Sequence, residues 1–88
     1  MSALYLMKDL YKDSIVRFKK TGNLYKILSS TCKMKHPETR EWIPAVVYQS
    51  YKILEPSGEY KDDPNQNIWT REFQDFNEKF ELILKLWN

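Results

Sequence analysis

Trp42-Ile43-Pro44-Ala45-Val46-Val47-Tyr48, near the middle of the chain, is apolar at every position. It is dominated by β-branched and aromatic side chains, which fit a pleated surface. An unbroken apolar run of this kind predicts a strand over residues 41–53, covered on both faces. Pro44 has no N–H to give to a ladder, so the beginning of this strand is expected at an edge or a bulge.

Working towards the N-terminus, residues 34–40 are polar, and Pro37 biases His36 to an extended conformation, which marks a turn. Residues 24–33 predict a second strand, with Leu24, Leu28 and Cys32 on one side and Tyr25 and Ile27 on the other. Lys20-Thr21-Gly22-Asn23 is a turn in which Gly22 and Asn23 tolerate positive φ. Residues 14–19 predict a strand with Val16 and Phe18 on one face and Ile15 and Arg17 on the other. Together these two strands read as a hairpin. Before them, Ala3, Leu6, Met7 and Leu10 recur at helical spacing, predicting a short amphipathic helix within residues 1–12. Ten or so residues make a helix that needs a docking surface to persist.

Towards the C-terminus, residues 54–67 form a long polar loop with Pro56, Gly58 and Pro64. Residues 68–71 predict a short strand, and residues 72–78 a bend or single helical turn with Phe73 and Phe76 three apart. Over residues 80–87, Phe80, Leu82, Leu84 and Leu86 alternate as a strand, although Phe80, Ile83, Leu84 and Trp87 also fit a helix; we favour strand. The expected architecture is one mainly β domain over residues 1–88: a short N-terminal helix, then a β core over residues 14–87. Four to five antiparallel strands in so short a chain suggest a small barrel or a strongly curled sheet, since closure removes exposed edges.

Composition narrows the function classes. In 88 residues there is room for one core. Six Tyr, three Trp and four Phe exceed what so small a core needs, which leaves rings for a surface or pocket. The net charge of +2 is too balanced to indicate a nucleic-acid protein by itself. Abundant Lys, Tyr and Asn with only two Ala hint at an AT-rich genome, such as that of a phage or a low-GC bacterium. A single cysteine, Cys32, excludes an intramolecular disulfide, and one Cys with one His cannot build a structural zinc site. No stretch approaches a membrane span, and residues 1–11 carry Lys8 and Asp9 within an apolar run, unlike a signal peptide. A cytoplasmic location, without membrane association or cofactor, is expected.

The chemistry-bearing motifs are sparse. Trp69-x-Arg71 lies on a predicted strand, where residues two apart share a face, so a ring sits beside a guanidinium as an anion-binding platform. Tyr48 and Tyr51 extend that platform from the central strand. The alternative is that Trp69 belongs to the core and Arg71 pairs with Glu41 or Glu72. With eleven Lys and only three Arg, each Arg, including Arg17, is a better candidate for a planar contact than any lysine. His36 with Glu38 and Thr39 suggests acid–base chemistry or, more simply, side chains closing a turn. Cys32 reads as a buried, inert thiol. Lys19, Lys20 and Lys26 cluster around the first turn, and Lys33, Lys35 and Arg40 around the second; such clusters attract phosphate or are simply solvated. The acids of residues 55–63 do not have calcium-loop spacing and read as a mobile lid, a partner contact or a solvated insertion.

Several of these residues recur in a known pattern. Phe18, Gly22-x-x-Tyr25-x-Ile27-Leu28, His36-x-Glu38-Thr39, Val46-Val47-Tyr48-Gln49, Trp69-x-Arg71 and Phe76-Asn77-Glu78-Lys79 follow one another in an order and spacing that resemble the family catalogued as domain of unknown function 1653. These are small bacterial and phage proteins, and the resemblance runs from about Val16 to Glu81. It implies a small SH3-like β-barrel and no established activity. The chain departs from the pattern in its long segment after Ser50, in its N-terminal helix, and in Glu72, where the family has proline.

The expected function is a non-catalytic binding module for a small anionic, nucleotide-like ligand; in a phage this would act as a counter-defence sponge for a host messenger. The candidate ligand-binding residues are Tyr48, Gln49, Tyr51, Trp69 and Arg71. Arg17 and His36 complete the set. The alternative is a protein–protein interaction module or inhibitor, docking on a host protein or a second copy of itself. Single-stranded nucleic-acid binding is a weaker third.

Overall fold

The computed structural model describes residues 12–84. The expected N-terminal helix and the end of the last strand fall outside these residues. The described chain is mainly β, 57% strand, arranged as one antiparallel sheet of six strands with a single short helix. The elements are β1 (Ile15–Phe18), β2 (Leu24–Lys35), β3 (Trp42–Leu54), β4 (Tyr60–Asp62), β5 (Ile68–Glu72), α1 (Phe73–Lys79) and β6 (Phe80–Leu84). No helix among the described residues is long and apolar enough to cross a membrane.

The sheet order is β4-β3-β2-β1-β6, with β5 also paired to β3. The thirteen-residue β3 is long enough to hold two partners on one edge: β5 along Ala45–Gln49 and β4 along Lys52–Leu54. Its other edge runs along β2. The β1–β2 turn works as the sequence implies, with Gly22 at φ 82° and the Gly22 N–H donating to the Phe18 carbonyl at 2.8 Å. Register shifts along β2 next to Tyr25, Ser29 and Cys32 insert bulges, and bulges bend and twist a strand. The sheet therefore curls over its own inner face. It does not close: among the described residues β5 pairs with β3 and β6 with β1, and α1 spans between them.

Alternation decides what lies inside. Val16 and Phe18 of β1, Tyr25 and Ile27 of β2, Val46 and Tyr48 of β3, and Phe80 and Leu82 of β6 point inward, joined by Phe73 and Phe76 of α1. Phe76 and Phe80 stack at 4.2 Å between centroids, and Phe80 also meets Phe18 at 5.0 Å, Tyr48 at 5.1 Å and Tyr25 at 5.5 Å. The core is thus largely one aromatic cluster, and each such ring pair adds about 0.5–1.5 kcal/mol beyond its burial.

Several expectations are revised. There are six strands, not four or five, because residues 60–62 of the supposed loop pair with β3. The turn at residues 72–78 is a seven-residue helix, started by the Glu72 carboxylate, which accepts from the Gln74 and Asp75 backbone N–H groups. Only part of the central run is covered: Ala45, Val46 and Tyr48 are buried, but Trp42 is 65% exposed. The reason is that β3 outruns its neighbours, so its first residues pair with β2 alone. Pro44 sits in that stretch, facing Lys33 and, among the described residues, with no strand on its other side, which suits its missing donor. Cys32 is half-buried, its Sγ 3.2 Å from the Ala45 carbonyl. Residues 80–84 are strand.

Candidate functional site

A groove of about 180 Å³ opens where the sheet fails to close. It is lined by Phe18, Tyr25, Tyr48, Trp69, Arg71 and Phe80. Each comes from a different part of the curl: Phe18 from β1, Tyr25 from β2, Tyr48 from β3, Trp69 and Arg71 from β5 and Phe80 from β6. Strand pairing sets Trp69 directly across from Tyr48, and the two-residue period then brings Arg71 to the same face.

Arg71 is the most constrained side chain here. Its Nε donates to the Tyr48 hydroxyl at 3.1 Å and its NH1 to Asp75 Oδ2 at 2.6 Å. The guanidinium carbon lies 5.6 Å from the Phe80 ring centroid and 5.7 Å from that of Phe18, within cation–π range. Burial works against its charge, yet the hydrogen bonds to Tyr48 and Asp75 outweigh that, and the group holds its proton more tightly than usual. Among the described residues two of its five donors are committed, which leaves the outer edge of the fork for a ligand. Asp75 in turn is held well into its charged form by Arg71 and, at 3.0 Å, by Lys79. Burial raises the pKa of Tyr25, keeping its phenol neutral in the groove floor.

Trp69 is 48% exposed, and its Nε1 makes only a long 3.5 Å contact with Ser50 Oγ. It is therefore a wall with one free face. Tyr48, at 3% exposure, is core and groove floor together. The groove continues into a wider one of about 520 Å³ lined by Phe18, Lys19, Lys20, Arg71, Glu78 and Lys79. Phe18 and Arg71 belong to both.

Of the seven candidate residues, the fold unites three, Tyr48, Trp69 and Arg71. Gln49 and Tyr51 line a separate groove of about 270 Å³ with Lys26 and Asp62. There the Tyr51 ring lies under Lys26 Nζ at 4.7 Å and Lys52 Nζ at 5.0 Å, and Gln49 Nε2 donates to the Gln66 carbonyl. Tyr51 is three residues from Tyr48, an odd step, so it does not extend the Tyr48–Trp69 platform. Arg17, one position from the inward Val16 and Phe18, pairs instead with Glu81 at 3.2 Å. His36 closes the β2–β3 turn, its Nδ1 accepting from the Glu38 and Thr39 N–H groups. Neither Glu41 nor Glu72 holds Arg71; Asp75 does. Residues 55–67 supply no lining to either compartment at Arg71.

The sequence reading left out Phe18, Tyr25 and Phe80 as floor, and Asp75 and Lys79 as the charged rim. One signal was present: Arg71, Asp75 and Lys79 are spaced by four, the spacing that lets charges meet along a helix. No protein-family pattern, curated protein or solved structure matches this chain.

Proposed function

We propose that this chain is a non-catalytic binding module that sequesters a small, planar, anionic ligand of nucleotide type. In this reading the curled sheet is an SH3-like barrel left open between β5 and β6, and the opening is the binding site. The observation that carries it is the continuity of two unlike compartments through one residue. Rings of Phe18, Tyr25, Tyr48, Trp69 and Phe80 offer stacking surface, and Arg71 stands where they give way to Lys19, Lys20 and Lys79. A base stacks against an aromatic face for about 1–3 kcal/mol, and a guanidinium fork suits phosphate oxygens.

Calorimetric titration with a panel of nucleosides, linear nucleotides and cyclic nucleotides tests it. The expected result is saturable binding of at least one nucleotide, weakened about tenfold or more in Trp69→Ala and in Arg71→Lys. Silence across the whole panel sinks the proposal.

A second reading has its own observation. The outer part of the β2–β3 hairpin projects beyond β1 and β5, with Trp42 65% exposed and Lys35 Nζ 5.5 Å from its ring. Exposed strand edges and a bare Trp suit contact with another protein or a second copy. Light scattering at increasing concentration checks the homo-oligomer form of this reading: a mass that rises for the native chain and not for Trp42→Lys supports it, and a constant monomer mass counts against it.

A further inference from the structure

Resting on the groove reading above, we infer that the basic compartment selects a terminal phosphate, the dianion of a linear nucleotide, over the monoanionic phosphodiester of a cyclic one. The selecting charge is already present. Lys19, Lys20, Arg71 and Lys79 border the compartment, with Glu78 on its rim. Asp75 bridges two of these cations, at 2.6 Å from Arg71 and 3.0 Å from Lys79. Four cations thus face two carboxylates, a net charge of +2. Among the described residues, no ion pair within 4.0 Å engages Lys19 or Lys20, although Lys19 is near enough to Glu81 to help hold that carboxylate charged.

A phosphate arriving at Arg71 must compete with the Asp75 carboxylate for the same guanidinium. A singly charged phosphodiester offers that guanidinium no more charge than Asp75 does, and it gains less than a dianion from the net positive charge of the compartment. A phosphomonoester is close to doubly charged at neutral pH, with its second pKa near about 6. It satisfies the unpaired Lys19 and Lys20 as well as the outer edge of Arg71. Asp75 is thus a positioning residue that orients Arg71, and the remaining cations supply the selection. The aromatic compartment holds the base in either case, so discrimination comes from the phosphate end alone.

Calorimetry with adenosine 5′-monophosphate, adenosine 3′,5′-cyclic monophosphate and adenosine, on the native chain, Asp75→Asn and Lys20→Ala, tests this. The native chain is expected to prefer the linear over the cyclic nucleotide by about tenfold, the worth of one charge-assisted hydrogen bond. Asp75→Asn keeps an oxygen to orient Arg71 but removes the charge. It is expected to strengthen binding of both nucleotides, of the dianion more, and so widen the ratio. Lys20 is exposed in a turn, so its alanine variant is expected to fold and to weaken linear binding only. Equal affinity of the native chain for the two nucleotides, or an unchanged ratio in both variants, overturns the inference while leaving the groove intact. Absence of binding to all three compounds instead removes the groove reading on which it stands.

Discussion

At the scale of single residues, aromatic side chains on consecutive elements take opposite roles. Phe76 is fully buried and stacked on Phe80, whereas Trp69 keeps nearly half its surface in water. Phe76→Ala is expected to cost about 3–5 kcal/mol in urea denaturation, because it removes transfer free energy and leaves a cavity in a close-packed cluster. Trp69→Ala is expected to cost under about 1 kcal/mol in stability while weakening the proposed nucleotide binding about tenfold or more. Glycine is required at the two tight turns for the same reason of backbone sign, but with different surroundings. Gly22 has φ 82°, and an added Cβ would lie 2.6 Å from Leu54 Cδ2, while Gly58 has φ 92° and open space. Both alanine variants pay the left-handed penalty of about 1–2 kcal/mol. Gly22→Ala is expected to lose more, since Leu54 must also shift, and thermal melting of the pair measures the difference.

At the scale of elements, α1 is too short to stand on propensity, and its start depends on Glu72. That carboxylate takes two otherwise orphaned N–H groups, of Gln74 at 2.9 Å and Asp75 at 3.2 Å. Glu72→Ala is expected to destabilise by about 1 kcal/mol, as loss of an N-cap does. Its effect on binding is expected to exceed its effect on stability, because α1 carries Asp75 and Lys79. The β2–β3 hairpin shows the opposite behaviour along its length. Near Ile27 and Tyr48 it is flanked by β1 and β5 and roofed by α1; near Lys35 and Trp42 it has neither neighbour. Hydrogen exchange is expected to be slowest at the amides of Ile27 and Val46 and fastest in the outer hairpin, where opening exposes little new apolar surface. Uniform protection along both strands would contradict this picture.

At the scale of the whole molecule, the strand and helix ends are tied by paired carboxylates. Glu81 is held to Arg17 across β1 and β6, Asp62 to Lys52 across β3 and β4, and Asp75 to Arg71 and Lys79 at the groove. All three have pKa values lowered from ordinary values of 4.5 for Glu81 and 3.8 for the two aspartates, in each case first by the hydrogen bond from the paired cation. A lowered folded pKa stabilises the native state above the ordinary value, and that contribution is lost as the pH falls through the lowered one. Thermal stability is therefore expected to fall on acidification below about pH 4.5, and to fall less in Glu81→Gln with Asp75→Asn than in the native chain. All three carboxylates keep about a third or more of their side-chain surface in water, so salt is expected to diminish the effect.

How much of this was legible in the chain follows from what kind of information each feature needs. Local chemistry was sufficient for the mainly β class, the Gly22 turn, the same-face sets Val16/Phe18 and Tyr25/Ile27, though not which face lay inward, and the pairing of Trp69 with Arg71 on one face. The two-residue period and the turn residues encode these without reference to distant parts. The strand at residues 60–62 was not legible, because three polar residues carry no period and take their form from pairing with β3. Nor was the division of the candidate residues into separate places. Tyr48 and Tyr51, or Arg17 and Phe18, are close in sequence and fall on opposite sides of the sheet. Phe18 and Tyr25 lie far from Phe80 in sequence and meet it in one groove. Only the curling of the sheet sets β5 opposite β1 and β6, and that curl depends on bulges and long-range register, which are properties of the assembled sheet and not of any segment within it.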